Sequence, residues 1–171
     1  MIQEQDIITI DMGCKINGYC SDMTRTIFVG GMTKEQQQIY DLVLNNQKKV
    51  LNEIYEGANI KSIVRGIESD FNLNNQTLIH SLGHGVGLNI HESPFISIKN
   101  DSILKENMVL TNEPGIYIPG NFGIRIEDTL LVTKKGARTL TESTKECIIL
   151  SVWKNKWKGI KYGSSIFSRR F

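Results

Sequence analysis

All three histidines of this 171-residue chain, His80, His84 and His91, fall within one stretch, LIHSLGHGVGLNIHESP. Imidazole titrates near neutral pH and binds metals through either ring nitrogen, so the clustering points to a site. Acids in strand-like segments are the second signal. An inward-facing carboxylate in a half-buried strand is costly unless it is paired or bound to a metal. With the strand period of two, Asp11 lies on the face of Ile7 and Thr9, and Asp22 on that of Thr24 and Thr26. Glu113 shares a face with Val109 and Thr111, and Glu127 with Arg125, Thr129 and Leu131. Asp22-Met23-Thr24 and Glu127-Asp128-Thr129 both put an acid two residues before a threonine, which suggests two hairpins related by a pseudo-twofold.

If those hairpins face each other, four carboxylates converge with His84. Like charges about 4 Å apart repel by roughly 4 kcal/mol per pair at an effective dielectric near 20, so only cations could hold the group together. Four oxygen donors and one imidazole suit two divalent ions sharing bridging carboxylates, with manganese favoured and cobalt, iron or zinc as alternatives. Any one of these acids alone reads as a strand-end or surface acid, and any one histidine as a buried structural residue. Taken jointly, they read as a metal site. Gly83, Gly85 and Gly87 are not spaced as a dinucleotide-binding loop, and no helix pattern follows them. His91-Glu92 does not begin a zinc-protease helix, because Phe95 stands where a second histidine is required and Pro94 opposes the helix.

The elements that must position these groups are mixed. Residues 6–29 read as a hairpin, DIITIDMG and YCSDMTRTIFV, with KING as the turn between them. Thr33 starts a helix with Gln36 as its capping-box partner, and apolar residues recur at helical spacing until Gly57. A second helix is expected over Ile60 to Phe71. Strand signals return in NMVLTNE, GIYI and GIRIEDTLLVT, separated by Pro114, Pro119 and Gly120. The fold class is therefore α+β, with antiparallel strands at both ends and helices between.

Composition sets the remaining bounds. The chain is 40% apolar, enough for one core and one domain. Its net charge of +2 is misleading, because residues 151–171 carry six of the 20 basic residues and no acid. The remainder has 14 basic against 18 acidic residues, which gives no electrostatic case for nucleic acid. The tail holds both tryptophans among its cations, the composition of a membrane-surface helix, but Gly159 and Gly163 interrupt any helix, and a poorly ordered appendage is expected instead. No apolar run reaches membrane-spanning length and residues 1–13 lack a signal-peptide pattern, so a cytoplasmic location is expected, with no membrane association. Cys14, Cys20 and Cys147 show no CxxC spacing and are expected to be reduced thiols.

Between Asp6 and Leu150, the segments IDMG, GYCSDMTRT, HSLGHGVGLNIHESP, LTNEPGIYIPG and GIRIEDTLLVT resemble the motifs of the pita-bread metallopeptidases, the family of methionine aminopeptidase, creatinase, aminopeptidase P and prolidase. The resemblance implies a pita-bread fold and two divalent metal ions. Their ligands would be Asp11, Asp22, His84, Glu113 and Glu127, with Asp22 and Glu127 bridging. His80, four residues before His84, and Arg125 within GIRIED resemble the Xaa-Pro branch more than methionine aminopeptidase. For that branch it implies release of the first residue from peptides with proline in second position. Glu113 would act as general acid/base, His80 and His91 would stabilise the oxyanion and orient the peptide, and Arg125 would support the ligand shell or bind a substrate carboxylate.

Family members carry an earlier helix-and-strand section with a further active-site histidine, and the Xaa-Pro branch adds an N-terminal domain used in oligomerisation and substrate selection. Neither is in this sequence. The expectation is a catalytic domain over 1–150, lacking its N-terminal part, and a non-family tail over 151–171. Two alternatives accompany the Xaa-Pro peptidase: an inactive remnant that binds metal or a missing upstream polypeptide, and a methionine aminopeptidase. A homodimer is a further possible assembly.

Overall fold

The computed structural model describes residues 2–151. Residues 152–171, with both expectations raised for the basic tail, lie outside the described residues.

Helix α1 (Lys34–Glu53) begins at the expected cap. The Thr33 hydroxyl accepts from the Gln36 amide at 3.2 Å, and Gln36 Oε1 accepts from the Thr33 amide at 2.7 Å. The helix stops short of Gly57. Ile54 turns to extended backbone and buries its side chain, and the next amides bond outside the helix, Glu56 to Thr133 O and Gly57 to Leu104 O. Helix α2 (Ile60–Leu73) is capped by Asn59, whose Oδ1 accepts from the Ser62 amide. It buries Ile60, Ile63, Val64, Ile67 and Phe71, the stripe that its spacing predicts.

The N-terminal hairpin is more elaborate than one turn. It comprises β1 (Ile7–Met12), β2 (Lys15–Ile16), β3 (Tyr19–Cys20) and β4 (Met23–Val29). β1 pairs with β4 from Ile7↔Phe28 to Met12↔Met23, and residues between them fold out as a small β2–β3 ribbon. Asn17 and Gly18 both take positive φ at its tip, the two-residue turn that suits right-twisted strands.

The later strands are β5 (Gly83–Gly85), β6 (Glu92–Ile96), β7 (Val109–Asn112), β8 (Gly115–Ile118), β9 (Phe122–Arg125), β10 (Asp128–Thr133), β11 (Gly136–Thr139) and β12 (Ile148–Leu150). GIRIEDTLLVT, expected as one strand, is broken into β9 and β10 at Ile126 and Glu127. There the chain leaves the β8–β9 hairpin for a five-stranded sheet of order β11-β10-β7-β5-β6. A second sheet has the order β1-β4-β12, with β12 parallel to β4. One core, including Phe28, Tyr40, Ile67, Phe71, Leu110 and Leu130, joins the helices to both sheets. Among the described residues no helix is long and apolar enough to cross a membrane.

Replacing Thr33 by alanine removes one half of the capping box and is expected to lower stability by about 1 kcal/mol. A urea titration with an unchanged midpoint would show that the box contributes nothing.

Candidate metal centre

The site forms where the two sheets meet. β4 and β10 belong to different sheets, so their backbone groups cannot satisfy one another through a continuous ladder and must find other partners. Threonine hydroxyls take that part. Thr129 Oγ1 donates to Asp22 O at 2.7 Å and faces the Asp22 amide at 3.3 Å. Thr26 Oγ1 donates to Arg125 O at 2.9 Å and accepts from the Arg125 amide at 3.1 Å. One backbone bond, Glu127 N–H to Thr24 O at 3.0 Å, completes the seam.

This seam brings the predicted acids together. Asp11 lies in β1, but Asp22, Glu113 and Glu127 stand just outside strand ends, where the backbone is free to turn the carboxylates inward. Thr24 Oγ1 donates to Glu127 Oε2 at 2.5 Å, and Thr111 Oγ1 donates to Glu113 Oε1 at 3.1 Å, so each glutamate has a hydroxyl behind it. Thr111 Oγ1 also accepts from the His84 amide at 3.0 Å. Gly83 allows that approach, since a Cβ there would collide with the Thr111 carbonyl.

Ligand atoms of Asp22, His84 and His91 all lie within 4.8 Å of one another, as do those of His84, Glu113 and Glu127, and those of Asp11, Asp22 and Glu127. His84, Asp22 and Glu127 each belong to two of these groups, the arrangement needed for neighbouring ions that share ligands. His84 Nδ1 lies 3.0 Å from Gly85 O and therefore carries the proton of the neutral ring. Its Nε2 lone pair then faces Glu113 Oε1 at 3.3 Å and Asp22 Oδ2 at 3.6 Å. A lone pair aimed at two carboxylates needs a cation or a proton between them, and a backbone-fixed histidine is the usual form of a metal ligand.

The acids register the same crowding. Burial, then the charge of Asp11, raises the Asp22 pKa against the pull of His84 and His91. Burial likewise raises that of Glu113, opposed by His80, the Thr111 hydrogen bond and Arg125. Glu127, 2% exposed, is pushed up to about 8 by burial, with Glu113, Asp22 and Asp11 adding to the shift and the Thr24 bond opposing it. The oxygen-rich donor set therefore fits divalent ions, which supply the missing positive charge.

Asp11 departs from the expectation of an inward, buried acid. It is exposed, because β1 is an edge strand, and it is held by Arg125 NH2 at 2.5 Å. Arg125 also donates to Tyr117 OH at 2.9 Å and, through Nε, to Thr24 Oγ1 at 3.2 Å. Tyr117 OH in turn donates to His80 Nε2 at 3.1 Å, while His80 Nδ1 donates to Ser81 O. His80 thus stands outside the donor groups, tied to Asp11 through Tyr117 and Arg125. Exposed His91 packs edge-on to His84, ring centroids 4.2 Å apart. Together with Phe95, Glu113 and Arg125, the three histidines line a cleft of about 610 Å³. A larger hollow of about 730 Å³, between β1 and the Asn121–Gly123 turn, contains none of these residues. Sequence reasoning missed Tyr117, which carried no signal beyond its place in an apolar strand. It noticed Thr24 and Thr111 only as neighbours of the acids.

Residues 1–134 match the profile of metallopeptidase family M24. The chain belongs to this family. An Xaa-Pro dipeptidase of Pyrococcus furiosus is 47% identical over 150 residues, which make up 86% of this chain and 43% of that protein. Among solved structures, the X-Pro aminopeptidase from Thermotoga maritima matches with a TM-score of 0.84 at 36% identity, covering 87% of this chain and 42% of that one. The prolidase from Pyrococcus furiosus matches with a TM-score of 0.82 at 45% identity, over 84% and 43%. The fold is the pita-bread fold expected from the motifs, and the chain spans about two-fifths of the length of these relatives.

The raised carboxyl pKa values set a pH dependence. The folded, ion-free protein keeps the Glu127 proton up to about pH 8, whereas the unfolded chain releases it near 4.5. Between those values the unfolded state binds fewer protons, so stability falls as pH rises. Thermal melting in a chelator at pH 5, 6.5 and 8 should give decreasing midpoints, and the gain from added manganese should grow over the same range. Midpoints that rise with pH in the chelator would contradict the assignment.

Proposed function

We propose that this chain carries the dinuclear metal centre of a peptidase acting on Xaa-Pro peptides, with Asp11, Asp22, His84, Glu113 and Glu127 as ligands. The observation that carries the reading is the overlap of three donor groups around His84, Asp22 and Glu127, in a chain 47% identical over its matched length to an Xaa-Pro dipeptidase. Manganese suits this oxygen-rich set best. Two divalent ions bound there would lower the pKa of a bound water and polarise the substrate carbonyl. The three free cysteines suit a reducing compartment, the cytoplasm.

The chain's own groups divide the remaining tasks. Glu113, with burial raising its proton affinity and Thr111 fixing one oxygen, takes a proton from the attacking water and returns it to the leaving nitrogen. His91, exposed in the cleft, donates a hydrogen bond to the carbonyl oxygen as it gains charge. His80, held by Ser81 and Tyr117, orients the peptide beside it. Arg125 keeps Asp11, Tyr117 and Thr24 in mutual register, and its rigid fork suits that bridging better than a lysine would.

A second reading has its own support. Among the described residues β1 pairs with β4 alone, while β7 is flanked by β10 and β5. That open edge favours a site completed by a further segment or partner lying along β1.

The manganese-loaded chain is expected to release the first residue from Xaa-Pro dipeptides or longer Xaa-Pro peptides, and to leave Met-Ala-Ser intact. His84→Ala and Glu127→Ala should abolish turnover, and Glu113→Gln should lower kcat by roughly 10²–10⁴. Preferential cleavage of Met-Ala-Ser would favour a methionine aminopeptidase. Inactivity alone, relieved by the upstream section, would favour the second reading, and inactivity under both conditions would reject the enzyme.

A further inference from the structure

Behind the ligand face, β4 and β10 are joined by a buried ion pair that the reaction does not use. Side chains alternate along a strand, so Arg25 and Asp128 point away from the site while their neighbours Thr24 and Glu127 point toward it. Arg25 NH2 meets Asp128 Oδ1 at 2.8 Å, with side chains 8% and 0% exposed.

Both partners are saturated. A guanidinium has five N–H donors. In Arg25 they reach Thr144 O from Nε, Thr24 O and Glu127 O from NH1, and Asp128 Oδ1 and Ser143 O from NH2, at 2.5–2.9 Å. A carboxylate offers about four acceptor sites. Those of Asp128 receive Arg25 and Thr141 on Oδ1, and Gln47 and Lys145 on Oδ2, at 2.5–2.8 Å. The pair therefore gathers β4, β10, α1 and the 141–145 loop into one node.

The decisive contact is NH1. One nitrogen bonds the carbonyls of Thr24 and Glu127, whose side chains bond each other on the other face. Buried pairs are weak contributors to stability, since desolvation offsets much of their attraction. Here the geometry fixes where Glu127 stands against Thr24.

We infer that Arg25 and Asp128 are positioning residues: their buried, saturated pair locks the backbone of Glu127 to that of Thr24 across the junction of the two sheets, and so sets the spacing of the metal ligands. This rests on the metal centre proposed above. The hydrogen bonds of Arg25 and Asp128 reach the Glu127 carbonyl but no ligand carboxylate or imidazole among the described residues, so the effect passes through the backbone.

Arg25→Lys offers three donors in place of five, and Asp128→Asn keeps the shape without the charge. In the 171-residue chain, either variant should weaken manganese binding, followed by titration calorimetry, by about tenfold or more. Amide hydrogen exchange at Glu127 should accelerate by a similar factor while Leu110 and Leu130 keep their protection, a local change that general destabilisation would not produce. A folded variant with both affinity and Glu127 exchange unchanged overturns the inference, and so does unfolding of both variants, which would make the pair a determinant of the fold. If the parent binds no manganese, the metal-centre reading fails, and the Glu127 exchange still decides whether Arg25 locks this backbone.

Discussion

Electrostatic crowding at a sheet junction governs this molecule. Carboxylates remote in sequence are brought within ligand distance of one another, mostly out of water, with a histidine lone pair turned toward two of them. Such a group repels itself unless positive charge enters, and the protein meets the strain in part with neutral donors. Hydroxyls of Thr24 and Thr111 hold the glutamates, and Arg125 holds Asp11 at the open side. The burial that raises the proton affinity of Asp22, Glu113 and Glu127 would equally favour a divalent ion among them.

The architecture follows from that need. Two sheets sharing a ladder would leave no room for side chains at their junction, whereas sheets stitched by threonines leave openings for carboxylates. Glu127 occupies the break between β9 and β10, where it is released from ladder pairing. Asp22 stands just before the start of β4, as Glu127 does before β10, and Glu113 stands just after the end of β7. Glu113 and Glu127 each stand beside a strand end with a threonine hydroxyl on one carboxylate oxygen.

Much of this was legible from residue order. The capping box at Thr33 and the second helix from Ile60 depend on neighbours three or four residues apart, and both formed as expected. The alternation of acids with threonines showed which faces would meet. Other features depend on partners far along the chain. The break at Ile126–Glu127 arises because Glu127 bonds Thr24, about a hundred residues earlier, and no local pattern marks it. The exposure of Asp11 reflects the edge position of β1, which is a property of the sheet and not of the strand. Tyr117 gained its role only when the β8–β9 hairpin set it between His80 and Arg125.

The glycines of β5 bear on how such a protein can diverge. Gly83 and Gly85 run so close to Thr111 and Ser93 that any side chain there would meet backbone. The floor of the cleft is thereby closed to evolutionary tinkering, since a mutation would displace the strand that carries His84. Leu88, Ile90 and Phe95, exposed on neighbouring segments, carry no such constraint. Changes in what the cleft admits would have to be written at that margin, leaving the acids and His84 beneath untouched.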